Sequence, residues 1–479
     1  MKYQIEAKPY GEYDVVVCGG GTAGCFAAIA AAREGAKTLL IERSFVVGGM
    51  LTVGEAGITK FTEHCKDIER YKKEVLDRLA TDPKGVQVVG GIPHEYVKRL
   101  IDSGKALGTH GEAGSYVFTD KAASQYLLIE MLEEAGVEVL YDTRVCLVEK
   151  DGDAVKAVVV CNKEGFGRIE AKCFVDATGD GDVAALAGVP VYEGASENEV
   201  AEGYARRVGE MCNFGTMYRV GNVDYDRLFD FLEKNSYRFV VQRFGVMSFE
   251  NARESYYKGE MSVFMVKLSE PEELRGVVQV YTLPERGGAI LLGPGCVVRP
   301  PDNNGLDARS MSRGQHALQM GARRLTEGLR ATPGFENATV TYIPDLGVRE
   351  TRRIVGEYEL SVVDILSGRD FEDSIACGGH PIDIGAIPEE VENTDYNHWR
   401  FHIPYRIMLP KNVESLLITG RCVSASRGAW GAIRPTAQCM AMGEAAGLAA
   451  AMAAKEGISP KAVNVPTLRQ KLLNNGAII

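Results

Sequence analysis

No apolar run in this chain is both long and uninterrupted; even the alanine-rich stretch from Ala445 to Ala454 falls short of the ~20 residues that cross a bilayer. There is no C-x-x-C. The eleven cysteines are scattered singly from Cys18 to Cys439, so the spacing of a zinc ribbon, an iron–sulfur cluster or a redox disulfide is missing. Reduced thiols in the cytoplasm and no metal site are the expectation. Basic charge is in deficit, with 54 Lys and Arg against 65 Asp and Glu and a net charge of −11, which opposes binding to nucleic acid or insertion into an anionic membrane. Met1 to Glu12 is polar and lacks the basic, apolar and small-residue sections of a secretory signal, so export is not expected. No internal repeat is evident. What remains is a globular chain of 479 residues, long enough for two or three domains, whose expected partner is a small molecule.

The richest segment is Tyr13-Asp14-Val15-Val16-Val17-Cys18-Gly19-Gly20-Gly21-Thr22-Ala23-Gly24, followed by Leu39-Leu40-Ile41-Glu42. It reads as an apolar strand, a glycine turn, a small-residue helix and a second strand ending in a carboxylate. Gly19 allows the tight turn, Gly21 lets backbone approach a pyrophosphate, and Gly24 lets the helix pack closely on the sheet. The phosphates then meet free N–H groups at the positive end of the helix. Glu42 follows at the distance where a carboxylate accepts hydrogen bonds from a ribose, and it would repel a 2′-phosphate. The spacing therefore predicts a dinucleotide site that disfavours NADP.

Further along, Gly48-Gly49-Met50-Leu51 supplies a second flexible loop. Residues 60–115 read as an excursion, helical in period over Thr62 to Ala80 and glycine-rich from Lys84 to Gly114. Thr119-Asp120 open a helical pattern that Gly136 stops. Three strand-like runs, Val145 to Val148, Val155 to Val160 and Ile169 to Val175, form a β-meander that flows into Asp176-Ala177-Thr178-Gly179-Asp180-Gly181-Asp182. Gly194 to His402 changes character, with more aromatic and charged residues and no second G-x-G-x-x-G followed by an acidic residue. The chain closes with Leu416-Leu417-Ile418-Thr419-Gly420-Arg421 and a long small-residue helix from about Pro435, which suits a first helical position.

With these blocks in this order, the chain resembles the FAD-dependent oxidoreductases of the two-domain flavoprotein superfamily that includes fumarate reductase flavoproteins and glucose-inhibited-division-like proteins. The resemblance implies an α/β fold: a discontinuous Rossmann-like FAD-binding domain of parallel sheet plus meander, with an inserted α+β substrate domain. The boundaries implied are 1–193, with the excursion, and 403–479 for the FAD domain, and 194–402 for the substrate domain. It also implies non-covalent FAD, since no His lies between Gly48 and Thr59. Gly19, Gly21, Thr22, Ala23 and Gly24 would hold the pyrophosphate, Glu42 and Arg43 the ribose end, and Gly48, Gly49, Met50 and Leu51 the flavin side. Val145 would meet the adenine through its backbone, Thr178 and Gly179 the nucleotide, and Gly420 and Arg421 the ribityl chain. Many relatives carry Gly-Asp at the last of these, and Arg421 departs from that pattern. A helix start at Pro435-Thr436 would stabilise the negative charge of a reduced flavin through its dipole and free N–H groups.

Candidate catalytic residues are fewer. Leu346-Gly347-Val348-Arg349-Glu350-Thr351-Arg352-Arg353 is a basic cluster in an acidic protein, and a spacing of four puts Arg349 and Arg353 on one face of either a strand or a helix. Guanidinium groups there could clamp an oxygen-rich substrate or pair with Glu350, Glu357 or Glu359 in a structural network. His380, in a constrained turn before Asp383, and His402, just before the chain returns to the FAD domain, are the candidate proton carriers. Tyr405, Arg406 and Arg434 are second-tier candidates. His64, His94, His110, His316 and His398 have no distinguishing context. The expected function is hydride transfer between flavin N5 and a carbon of a small polar, oxygen-rich substrate, with a separate electron donor or acceptor; self-association is left open. The alternatives are a flavin-containing RNA-modifying or non-redox binding protein, or a flavin-assisted isomerase or lyase without net electron transfer.

Overall fold

A computed structural model describes residues 6–55, 57–59, 87–112, 116–235, 249–268, 275–298, 303–392 and 400–479. His64, His398 and the Thr62–Ala80 excursion lie outside these residues. The apolar run before the first glycines becomes β1, Lys8–Cys18, whose last four residues are fully buried. The glycine turn leads into α1, Thr22–Arg33, and back to β2, Thr38–Ile41. Helix α2 spans Gly91–Asp102 and α3 spans Lys121–Ala135. As the pattern predicts, Asp120 caps α3 through its carboxylate on the Ala123 N–H, and Gly136 ends it at a φ of 77°. There follow β3, Glu138–Leu140, and the meander β4, Arg144–Asp151, β5, Ala154–Asn162, and β6, Gly165–Asp176.

These strands form one seven-stranded sheet in the order β3-β2-β1-β6-β5-β4, with Leu416–Ile418 added beside the end of β6. The β1, β2, β3, β6 and Leu416–Ile418 pairings are parallel, and the meander pairings are antiparallel. Register decides where the site lies. Cys18 pairs with both Ile41 and Asp176, and Asp176 also pairs with Ile418. Four strands from distant parts of the chain therefore end together, and the segments that leave them share one sheet edge, where ligands bind open α/β sheets.

The Thr436–Glu456 helix covers this sheet beside α1. A Cβ on Gly443 would lie 2.2 Å from the Ala23 carbonyl oxygen, and one on Gly447 would lie 1.9 Å from that of Ala27. Only glycine permits that approach. Pro435 is the residue that caps this helix, with ψ at 157°, and the first helical residue is Thr436, one later than the sequence pattern predicts.

A second core lies in the inserted region. Its antiparallel sheet has the order Val263–Leu268, Gly276–Thr282, Ala289–Leu292, Tyr218–Gly221, Thr339–Tyr342, and Phe229, Phe264, Leu291 and Leu325 fill one face. Residues Ile354, Leu360, Ile375, Phe401 and Ile403 pack instead into the core of the first sheet.

Glu444 is buried in the Thr436 helix, where one of its oxygens accepts from the Ile92 N–H at 3.0 Å and the other has no partner among the described residues. Burial pushes its carboxyl up to about 8. The unfolded chain loses this proton near the ordinary 4.5 while the folded chain keeps it. Stability from this group is thus complete below that value and is lost as pH rises toward 8. Glu444→Gln is expected to gain on the unaltered protein in denaturant midpoint between about pH 5 and about pH 8.5. Equal slopes for the two proteins in unfolding titrations across that range would refute the assignment.

Candidate functional site

The glycine turns at the sheet edge touch one another. Gly19 has a φ of 101°, and a Cβ there would sit 2.6 Å from the Ala177 carbonyl oxygen. A Cβ on Gly24 would sit 1.8 Å from the Gly19 carbonyl oxygen, and one on Gly49 would be 3.0 Å from the Gly21 Cα. Gly420, at a φ of 81°, faces the Ala23 methyl, and Gly179, at 76°, faces Arg421. Among the described residues Gly21 itself faces nothing within 4 Å, and no side chain caps the start of α1. This is an open cradle of backbone, as a diphosphate requires. Thr22 ties it to the next loop by donating from Oγ1 to the Gly48 carbonyl at 3.3 Å, and the Gly48 N–H donates to Gly20 at 2.7 Å.

Glu42 ends β2 inside the cradle. Its carboxylate accepts from the Gly20 N–H at 2.8 Å and the Ser44 N–H at 2.7 Å, which orients it while leaving two of its roughly four acceptor positions for a ligand. Its carbonyl accepts from the Thr143 N–H at 3.0 Å, so the start of β4, with Val145, lies close by. Arg43 is exposed, and its charge reaches Asp180. Met50 and Leu51 form a tight turn after the second glycine pair, and Leu51 is buried. Thr436 donates from Oγ1 to the Gly57 carbonyl at 3.1 Å, and no side chain caps its helix.

Arg421, the departure from the expected Gly-Asp, has a local carboxylate. Its Nη2 lies 2.5 Å from Asp180 Oδ1, which also accepts from Thr351 Oγ1 at 2.7 Å. Burial works against the Asp180 charge, yet Arg421 and Thr351 hold its carboxyl below the usual range. Asp180 belongs to the Thr178-Gly179 turn, where Thr178 is fixed by the buried Asp176 at 2.7 Å.

Three of the candidate catalytic residues gather around Asp383. Arg434 donates from Nη2 to Asp383 Oδ2 at 2.7 Å and to its carbonyl at 2.8 Å, and its guanidinium lies 5.1 Å from the centre of the Trp430 ring. His380 places Nδ1 2.6 Å from the Pro381 carbonyl oxygen. A carbonyl only accepts, so Nδ1 carries the hydrogen and Nε2 is the basic nitrogen of the neutral ring. Burial opposes the Asp383 charge, but Arg434, His380 and Arg349 together keep the carboxyl below its ordinary range. Burial and the neighbouring Arg434 push the Arg349 guanidinium down. Arg434 stands two residues before Thr436, so the group lies at the positive end of that helix.

The other candidates sit elsewhere. Arg349 and Arg353 do not share a face: residues 343–350 are irregular, so neither period applies, and the two side chains diverge. Arg353, 1% exposed, pairs with Glu199 through two bonds of 2.5 and 2.7 Å and donates to the Gly194 and Ala425 carbonyls. It is a structural clamp: its main partner is Glu199, which the sequence did not single out, and of the three expected glutamates Glu350 lies 4.0 Å from its Nε. His402 lies opposite Cys377, 3.3 Å from Ser374 Oγ; burial pushes its ring down, and its charged neighbours are Asp370, Arg400 and Arg469, outside the Asp383 group. Tyr405 donates to the Pro460 carbonyl and Arg406 pairs with Asp373, so both are structural. Sequence reading missed Asp180 and Asp383 as partners; the only signal was their place inside turns already singled out. Among the described residues no cluster of His, Cys and carboxylates could hold a metal, and no helix is long and apolar enough to cross a membrane.

The sequence pattern of a family described as FAD dependent oxidoreductase matches residues 14–472. A digeranylgeranylglycerophospholipid reductase of Methanocaldococcus jannaschii is 33% identical over 181 residues, 37% of this chain and 41% of that protein. An NADH:fumarate oxidoreductase of Klebsiella pneumoniae is 30% identical over 188 residues, 35% of this chain and 20% of that one. The chain thus spans less than half the length of either relative. Among solved structures, it is similar to a geranylgeranyl bacteriochlorophyll reductase-like protein from Thermoplasma acidophilum, with 16% identity, a TM-score of 0.39, and 97% and 82% of the two chains covered. A myxobacterial chondrochloren halogenase gives 12% identity, a TM-score of 0.42, and 96% and 78% coverage. The glycine cradle has the shape and open donors that a flavin dinucleotide needs, and the family match runs through all of it. The chain belongs to the FAD-dependent oxidoreductases: it is an enzyme, and FAD is its cofactor.

Proposed function

We propose that this enzyme transfers a hydride between FAD and a carbon of a small polar, oxygen-rich substrate, with electrons exchanged through a separate donor or acceptor. The observation that carries the reading is the gathering of Arg349, Arg434, Asp383 and His380 at the start of the Thr436 helix. FAD, when bound, supplies a centre that takes or returns two electrons as hydride. In this reading Gly19, Gly21, Thr22, Ala23 and Gly24 cradle the diphosphate, and Glu42 and Arg43 meet the adenosine ribose. Val145 backs the adenine, Thr178, Gly179, Gly420 and Arg421 flank the linking chain, and Gly48, Gly49, Met50, Leu51 and Thr436 border the flavin. The unit built on the second core, within residues 194–402, closes the substrate side.

Arg349 and Arg434 orient the substrate, and Asp383 holds Arg434 in place. As the substrate carbon gives up its hydrogen with the bonding pair, His380 Nε2 takes the proton from the adjacent acidic group; in the reverse direction it returns that proton. General acid–base assistance of this kind contributes about 10²–10⁴-fold to a rate.

Two outcomes test these roles. First, small acids, sugars and polyols are screened for anaerobic bleaching of the flavin band; with a substrate so found, His380→Asn is expected to slow bleaching by about 10²-fold or more with FAD content unchanged, and His402→Asn by no more than a few-fold. Equal effects of the two changes would sink the assignment. Second, Arg353→Met leaves Glu199 buried and unpaired and is expected to cost about 3–5 kcal/mol in chemical unfolding, whereas Arg349→Met costs less than about 1 kcal/mol. The reverse order would exchange their roles.

A further inference from the structure

The strands that end at the cradle stand in the order β2, β1, β6, Leu416–Ile418. Glu42 leaves β2 and Asp180 leaves the turn after β6, so the two carboxylates belong to opposite sides of the Gly19–Gly24 turn, on strands about 10 Å apart. The Asp180 side touches that turn directly: a Cβ on Gly19 would lie 2.8 Å from the Thr178 Cα. Asp180 is fixed without help from a ligand. Its Oδ1 accepts from Arg421 Nη2 at 2.5 Å and from Thr351 Oγ1 at 2.7 Å, and its carbonyl accepts from Arg352 Nη1 at 3.3 Å. Arg421 is fixed in turn, since its Nη1 donates to Thr351 Oγ1 at 3.2 Å and its carbonyl accepts from the buried Trp430 Nε1 at 2.6 Å. Both side-chain bonds of Asp180 fall on one oxygen. Oδ2 takes none among the described residues, and 18% of the side chain stays exposed.

An ionised carboxylate only accepts hydrogen bonds, about four of them, so the open Oδ2 is complemented by a donor. A phosphate is the wrong partner, because Asp180 repels its oxygens and already occupies Arg421. Hydroxyl groups are donors, and FAD carries them on the adenosine ribose and on the ribityl chain that links the diphosphate to the flavin. Glu42, on one side of the turn, suits the first. A dinucleotide whose diphosphate lies on the turn between the two carboxylates brings the second to Asp180. We propose that Asp180 Oδ2 accepts a ribityl hydroxyl of FAD and that Arg421 acts on the cofactor by holding that carboxylate in place. The cradle then offers one carboxylate to each of the two hydroxyl-bearing units. This inference rests on the lie of FAD given under the proposed function, and not on hydride transfer or on the Asp383 group.

The test measures dissociation constants of the whole chain after FAD is stripped from it, for FAD by quenching of flavin fluorescence and for ADP by calorimetry. ADP carries the diphosphate and the ribose but no ribityl chain. Asp180→Ala is expected to weaken FAD about tenfold or more, as the loss of a charge-assisted hydrogen bond does, while ADP changes by less than about threefold. Asp180→Asn keeps an acceptor and is expected to recover part of the loss. Arg421→Met is expected to weaken FAD with ADP again unmoved; if it weakens ADP as well, the guanidinium meets the diphosphate and its positioning role fails. A merely structural pair moves both ligands together, so equal losses of FAD and ADP in Asp180→Ala, or no loss of FAD, overturn the proposal. In the unaltered chain, an FAD analogue whose ribityl hydroxyls are replaced by hydrogen is expected to bind about tenfold or more weaker than FAD. Equal affinity of the two would overturn the proposal with no variant involved. Glu42→Ala separates the possible failures. If it leaves ADP unchanged, the lie of the nucleotide falls and the proposal with it; if it weakens ADP while Asp180→Ala leaves FAD unchanged, the proposal alone falls.

Discussion

The nucleotide site depends on how closely two helices run. Gly443 faces Ala23 and Gly447 faces Ala27, so residue numbers rise together along the contact and the Thr436 helix is parallel to α1. Both positive ends point to the same edge of the sheet. Six more residues precede this contact on the Thr436 helix than on α1, which at 1.5 Å per residue carries its start about 9 Å further. Two positive helix ends staggered along one direction suit an elongated cofactor; in the function proposed above, the diphosphate meets the nearer and the flavin's developing charge the farther. The stagger exists only because glycines let one backbone lie on the other, so the contact sets the length of the site as well as its stability.

A second constraint fixes the chemistry beside it. Arg427 and Glu350 are both fully buried and form an ion pair reinforced by the Tyr204 carbonyl and the Cys212 N–H. Glu350 is the neighbour of Arg349 in the chain, and Arg427 opens the short helix that ends at Arg434. One buried pair thus sets the positions of both guanidinium groups of the candidate site without touching a ligand. Such a pair contributes little net stability, because desolvation of both ions offsets their attraction. Its value here is geometric. Arg353 and Glu199 repeat the device three residues on, and the Glu199 carboxylate also accepts from the Arg427 N–H at 2.6 Å, which joins the two pairs into one network.

The contrast between Arg349 and Arg353 explains what was legible in the sequence. The glycine turn, the Asp120 cap, the Gly136 stop and the meander follow from neighbours a few residues apart, and all four stand where the pattern predicts them. Long-range pairs have no such local signature. Asp180 and Arg421 are 241 residues apart, and Glu199 and Arg353 are 154 apart. Their meeting is decided by strand order, here by β6 lying between β1 and Leu416–Ile418. The same limit explains the error over Arg349 and Arg353: a spacing of four implies a common face only in a regular element, and this segment is irregular until Arg352.

The inserted sheet reaches the loop that follows Gly48 and Gly49 through a third buried cluster. Arg219, on the Tyr218–Gly221 strand, grips both oxygens of Glu55 at 2.7 and 3.1 Å and donates to the Thr119 carbonyl. Tyr342, on the neighbouring strand, donates to the Val53 carbonyl at 2.7 Å, and Lys121 bonds the Gly54 carbonyl while lying 3.2 Å from Glu55. Burial pushes Lys121 down to about 8 against the pull of Glu55, which shows how little water shares this joint. The carbonyls of Val53 and Gly54 are thus turned toward donors on the insert and on α3. To move alone, the inserted sheet would have to break a buried bidentate ion pair, a loss of about 3–5 kcal/mol when one partner is left unpaired. Sheet and loop are therefore tied by buried bonds, and the insert fixes the backbone that follows Gly48 and Gly49.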